Sequence, residues 1–179
     1  MELWDVFDKN KDFTGRIIQR GSKEPLTNYK YTLLVHAAIF NDQDEMLIQK
    51  RQSTKSIYPN LWDITCSGHQ LSGETSQDTV SRELKDELGL NLDFEDDIPN
   101  ITITSSNLFT DFYIIQGIDV DINILRINDE AVQSITWASK DEILQLIDEG
   151  KFINYSKSLI DLLFFLKNTN GDVINNGNQ

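Results

Sequence analysis

Cysteine, histidine and positive charge are all scarce in this chain of 179 residues, and each scarcity excludes something. A single cysteine, Cys66, rules out an intrachain disulfide and fits a reducing compartment, so a cytoplasmic location is expected. Two histidines, His36 and His69, are too few to assemble a His-rich metal site. Lys and Arg number 16 against 29 Asp and Glu, a formal net charge of −13. That balance disfavours a nucleic-acid polymer as partner, because phosphate neutralisation supplies most of such affinity, although single nucleotides stay within reach of a site that carries a metal. No stretch approaches the ~20 apolar residues of a membrane span, and Met1-Glu2-Leu3-Trp4-Asp5 is neither basic nor followed by an apolar run. No membrane partner or leader segment is therefore expected. With 39% hydrophobic and 25% charged residues and no repeat or long linker, the chain reads as one domain over residues 1–179.

What is present is a run of elements that alternate in type. Glu2 to Phe7 and Thr14 to Gln19 read as two strands joined by the turn-rich Asp8-Lys9-Asn10-Lys11-Asp12, an N-terminal hairpin. Lys30 to Phe40, Glu45 to Lys50 and Trp62 to Cys66 read as further strands, and Arg20 to Asn28 as a loop. Beyond residue 90, Ile101 to Ser105, Leu108 to Ile118 and Gln133 to Trp137 have the β-branched and aromatic content of strands. Ser139-Lys140-Asp141-Glu142 is a capping box that opens a helix through about Asp148. Leu159, Leu162, Leu163 and Leu166 form the apolar stripe of a last helix from about Tyr155 to Lys167, and the Asn- and Gly-rich tail from Asn168 is expected to fray. Strands interleaved with two or three helices predict an α/β fold with a mixed sheet.

The chemistry concentrates between Gly68 and Leu90. Thr75 followed by Asp78 is a capping-box-like start, Val80, Leu84 and Leu88 recur every fourth residue, and Gly89 supplies a stop, so the second half of this stretch reads as a helix. Glu83, Asp86 and Glu87 then stand at i, i+3 and i+4 and gather on one patch of that helix, off its apolar stripe. Like charges at this spacing destabilise a helix by roughly a few tenths of a kcal/mol per pair. A hard divalent cation with oxygen ligands, Mg²⁺ or Mn²⁺, would offset that repulsion and could share the carboxylates with phosphates of a substrate. The alternative is a solvated acidic face.

Gly68, Glu74, Arg82, Glu83, Leu84, Glu87, Gly89 and Leu90 match the fixed positions of the Nudix box, which this stretch resembles, with Asp86 standing where that family usually has Glu. The resemblance implies an α/β/α sandwich in which the box forms loop, helix and loop. It implies Glu83 and Glu87 as principal metal ligands and catalytic groups, Asp86 as a third carboxylate, and the Gly68 carbonyl as a main-chain ligand. Asp is one methylene shorter than Glu, so a contact from Asp86 lengthens or runs through water. By the same resemblance Glu74 is a structural or outer-shell acid, and Arg82 is expected to pair with a neighbouring box carboxylate in preference to touching substrate. The general base is drawn from different places in the family; Glu130, in the acidic Asn128-Asp129-Glu130 loop, is the first candidate, against plain exposure.

Arg51 and Lys55, with Lys50, stand out in so acidic a chain as candidates for substrate phosphate, against the alternative of ordinary surface. His69 is a candidate for substrate or metal contact, or a local hydrogen-bonding residue beside a Gly turn; His36, inside an apolar strand, and Cys66 read as core. Outside the box, Leu3-Trp4-Asp5-Val6-Phe7-Asp8, Val35-His36, Gln49-Lys50-Arg51 and Tyr58-Pro59-Asn60-Leu61-Trp62-Asp63 are similar to the isopentenyl-diphosphate-isomerase-like Nudix hydrolases. In the isomerases themselves the catalytic cysteine falls two residues before the box histidine, where this chain has Ser67, and several box acids are missing. The expected activity is therefore metal-dependent cleavage of a phosphoanhydride in a nucleoside diphosphate derivative, a small-molecule substrate. An isomerase and a non-catalytic nucleotide sensor are the alternatives, and a homodimer is left open.

Overall fold

A computed structural model describes residues 2–22, 26, 30–118 and 120–169, with the side chains of 168 and 169 left aside. The elements run β1 (Leu3–Phe7), β2 (Phe13–Gln19), β3 (Thr32–Ile39), β4 (Glu45–Arg51), β5 (Trp62–Asp63), β6 (Cys66–His69), α1 (Ser76–Leu88), β7 (Ile101–Ser105), β8 (Leu108–Ile115), β9 (Val132–Ser139), α2 (Lys140–Asp148) and α3 (Lys157–Thr169). The class is α/β with a mixed sheet and an N-terminal antiparallel hairpin, as the alternation of elements predicts. The chain groups into two compact units.

The first unit holds residues up to Ala37, Cys66–Tyr113 and Leu125–Asn128. Its hairpin pairs β1 with β2 from Leu3↔Gln19 to Phe7↔Phe13. The four-stranded sheet has the order β6-β3-β8-β7, in which β6 lies antiparallel to β3 with Leu34 opposite His69 and Ala37 opposite Cys66. Helix α1 forms where the sequence signals converge: the Thr75 hydroxyl accepts from the Asp78 amide while the Asp78 carboxylate accepts from the Thr75 amide. It ends because Gly89 turns left-handed at φ 69°, where a Cβ would press on the Arg126 backbone oxygen at 3.2 Å. Val80, Leu84 and Leu88 are fully buried, each side chain stabilising the unit by about 1.5–3 kcal/mol. That burial fixes the rotation of the helix and so the direction of its acids.

The second unit holds Ala38–Thr65, Ile114–Ile124 and residues from Asp129 onward. A three-stranded sheet of order β5-β4-β9 pairs Glu45 with Ser139 and Gln49 with both Ile135 and Asp63. The Ser139 capping box starts α2, whose Ile143 is fully buried.

Several boundaries differ from those expected. The strand predicted over Trp62–Cys66 is two strands, β5 and β6, interrupted at Ile64 and Thr65. Side chains take the ladder bonds there: the Asp63 carboxylate accepts from the Ile64 amide, and the Thr65 hydroxyl accepts from the Ile39 amide and donates to the Leu47 carbonyl. Strand β8 ends at Ile115 instead of Ile118, ahead of Gly117 at φ 69°, and β9 extends past both expected ends. Helix α3 starts at Lys157 and continues past Lys167 to Thr169; the rest of the expected tail lies outside the described residues.

Candidate active site

Strand β6 delivers Gly68 to the start of the box, and the absence of a side chain there is structural. A Cβ on Gly68 would lie 1.7 Å from Glu83 Oε1 and 2.1 Å from its carboxyl carbon, so the Glu83 carboxylate rests directly against the Gly68 backbone. Arg82 fixes it from the other side. Its Nη1 donates to Glu83 Oε1 at 2.6 Å, its Nε and Nη2 donate to the two oxygens of Glu74 at 2.6 and 3.0 Å, and Nη2 also donates to the His69 carbonyl at 3.1 Å. Glu74 is held further by the Leu71 amide and the Thr79 hydroxyl. Arg82 thus ties the loop carboxylate, the helix carboxylate and the backbone after Gly68 into one rigid group, the pairing expected of it.

The charges in this group are sharply graded. Burial raises the pKa of Glu83, and the charge and hydrogen bond of Arg82 offset only part of that rise. For Glu74 burial acts in the same direction, but the bonds from Arg82, Leu71 and Thr79 outweigh it and hold the carboxyl below its ordinary value. Burial disfavours the Arg82 charge, and its two acidic partners more than restore it. A further cation beside Glu83 would therefore favour its charged form, which burial disfavours. Asp86 is exposed, while Glu87 is 8% exposed and its backbone carbonyl accepts from the Asn128 amide at 2.9 Å.

Among the described residues no three His, Cys, Asp or Glu side chains converge as a ready-made metal cage. The donor set nonetheless suits a hard cation: it consists of carboxylates, one of them seated against the Gly68 backbone in the space a side chain there would fill. Mg²⁺ and Mn²⁺ favour oxygen, and Mg²⁺ commonly keeps several waters, taking one or two carboxylates with substrate phosphates instead of an all-protein shell.

The histidines differ in setting. His69 stacks on Trp4 with ring centroids 3.9 Å apart and planes 9° apart. Burial and the Arg20 charge lower its pKa to about 4, so it is neutral at pH 7. His36 is buried and stacks on Phe112 at 4.9 Å, and Cys66 is buried, as expected of core residues.

The remaining candidates belong to the second unit. Arg51 ends β4, where its Nε and Nη2 donate to the Ile57 carbonyl at 3.3 and 3.1 Å and its Nη1 lies 3.4 Å from the Asp63 carboxylate. Asp63, itself buried, also accepts from the Tyr155 hydroxyl at 2.8 Å. The Lys55 amide closes a turn onto the Gln52 carbonyl. Glu130 is exposed in the turn before β9.

One cluster in the first unit escaped the sequence reading. Asp111 is completely buried and accepts from Lys11 Nζ at 2.6 Å, Ser76 Oγ at 2.7 Å and Thr102 Oγ1 at 2.6 Å; Tyr113 then donates to Ser76 Oγ at 3.0 Å. Its signal was an acid at the inward parity of an apolar strand, in register with Phe109, Tyr113 and Ile115.

Comparison with known proteins gives the family and the fold. The family model described as the NUDIX domain matches residues 30–161. An uncharacterised Nudix hydrolase of Listeria monocytogenes is 36% identical over 168 residues, covering 94% of this chain and 96% of the relative. A crystal structure from Deinococcus radiodurans superposes with a TM-score of 0.68 at 22% identity, covering 90% of this chain and 97% of that one, which shows a shared fold. An isopentenyl-diphosphate Delta-isomerase of Mycolicibacterium vanbaalenii is 37% identical, but over 54 residues only, 30% of each chain.

Proposed function

This chain belongs to the Nudix family and is a hydrolase of pyrophosphate bonds, and from that premise we propose that it cleaves the phosphoanhydride of a nucleoside diphosphate derivative with Mg²⁺ or Mn²⁺ as cofactor. The observation that carries the proposal is the Glu83 carboxylate, clamped by Arg82 against the Gly68 backbone with its pKa raised by burial.

When bound, the divalent cation screens the diphosphate oxygens and makes a water more acidic. The Gly68 carbonyl, Glu83, Asp86 and Glu87 are the groups that would hold it. Arg82 keeps Glu83 in place and prevents it from swinging into solvent, which spares the site that reorganisation during the reaction. Glu130 takes the proton of the attacking water; Arg51 and Lys55 meet substrate phosphate; His69, neutral, meets substrate without adding charge. Residues 1–179 work as one catalytic domain, in a reducing cytoplasm to which the buried Cys66 is suited.

Two observations set the hydrolase above an isomerase. The position two residues before His69 is Ser67, and the acids Glu83, Asp86 and Glu87 are all present. The test is a screen of nucleoside diphosphates, dinucleoside polyphosphates, nucleotide sugars and isopentenyl diphosphate with each metal, read as released phosphate or isomerised product. Glu87→Gln should lower turnover on the order of a hundredfold or more and leave the circular dichroism spectrum unchanged. Equal activity in that variant contradicts the metal mechanism, and turnover of isopentenyl diphosphate alone replaces the hydrolase with an isomerase.

A further inference from the structure

The N-terminal hairpin lies outside the region matched by the family model, which begins at residue 30, yet it grips the box loop at successive points. The Leu3 carbonyl accepts from the Ser72 amide at 2.8 Å, and the Asp5 carboxylate accepts from the Gly73 amide at 3.0 Å. Lys11 reaches both oxygens of Asp111, one of which also holds the Ser76 hydroxyl at the first turn of α1. Between these lies the Trp4 indole, stacked flat on His69. His69 follows Gly68 directly, and its carbonyl is already held by Arg82.

We propose that Trp4 is a positioning residue for the catalytic box: its ring fixes the plane of His69 and, through that residue's backbone, the direction of the Gly68 carbonyl. The inference rests on the metal role proposed above for Gly68. Three features support it. The stack is close and nearly parallel, so it restrains rotation as well as distance. The Trp4 Nε1 is buried with no hydrogen-bond partner among the described residues, so the ring sits where stacking dictates at the expense of its own donor. The Arg82 bond to the His69 carbonyl anchors the backbone side of the same residue, so ring and backbone are held independently and move together only if both grips fail. A displacement of about 1 Å at a catalytic group can cost about a hundredfold in rate, so a support this close to Gly68 is a rate-determining part of the fold.

The test compares Trp4→Phe, which keeps an aromatic plane, with Trp4→Leu, which fills space without one. Two readouts are taken on the full chain below its melting range: amide hydrogen exchange across residues 68–75, and the Mn²⁺ concentration giving half-maximal hydrolysis. The expected result is faster exchange at this segment in Trp4→Leu, with the half-maximal Mn²⁺ concentration raised about tenfold or more, and near-native behaviour in Trp4→Phe. Trp4→Leu matching the wild type in both readouts overturns the inference, as does a loss of melting temperature with the metal response unmoved. Wild-type protein indifferent to Mn²⁺ instead overturns the metal reading, and the exchange comparison then still decides whether Trp4 orders the box loop.

Discussion

Gly68→Ala places a methyl group 1.7 Å from Glu83 Oε1, so the carboxylate must leave its seat. The Gly68 backbone itself needs no glycine, since its φ is not among the positive values, and the whole effect falls on Glu83. Moving that side chain breaks its 2.6 Å bond to Arg82, a charge-assisted contact between side chains only 25% and 14% exposed. Such a bond contributes about 1.5–3 kcal/mol, and a forced off-rotamer side chain costs about 0.5–1.5 kcal/mol. Urea unfolding should therefore show a loss of about 2–4.5 kcal/mol. Hydrolysis should fall further, on the order of a hundredfold to a thousandfold, because the displaced group is the carboxylate assigned to the metal. The two residues should also be coupled: on a Glu83→Ala background, Gly68→Ala should remove little additional activity, since the group it displaces is already gone. Activity of Gly68→Ala within twofold of wild type, or strictly additive losses in the double variant, would refute the reasoning.

Two other predictions concern the first unit. His69 has a folded pKa of about 4 against 6.5 for the free side chain, so the unfolded chain binds the proton more readily, and stability should fall as pH drops from 6.5 toward 4. The expected loss is about 2 kcal/mol at pH 5, and His69→Gln should flatten that slope; a slope unchanged in the variant removes His69 as its source. Glu74, with its folded pKa lowered, adds a loss in the same direction as pH falls through that lowered value. Asp111→Ala strands the Lys11 ammonium and the Ser76 and Thr102 hydroxyls and should cost about 3 kcal/mol in urea, with Asp111→Asn costing less because one acceptor remains. Stabilities of both variants within about 0.5 kcal/mol of wild type would mean the buried cluster carries no net stabilisation.

Much of the box could be read from the sequence because its determinants are local. Thr75 and Asp78 cap each other across three residues, Val80, Leu84 and Leu88 set the buried face, and Gly89 ends the helix, all within one turn or two of the groups they act on. The pairing of Arg82 with box carboxylates is local in the same sense. Features that depend on distant partners were not legible. The break at Thr65 is made by the Ile39 amide and the Leu47 carbonyl, neither of which announces itself in the Trp62–Cys66 run. Arg51 stood out by charge alone, while its engagement with the Ile57 carbonyl and Asp63 depends on the path of the intervening loop. Trp4 and His69 are brought together by the docking of the hairpin, and no periodicity in either segment points to the other.

The most direct measurement is a calorimetric titration of the full chain with Mn²⁺, carried out on wild type, Glu83→Gln and Glu87→Gln, each shown to be folded. The account predicts saturable binding to wild type that weakens at least tenfold in each variant, together with relaxation changes that are strongest at residues 68–90. Binding that is equally tight in all three proteins, or hydrolysis by a wild type that takes up no divalent ion, would contradict it.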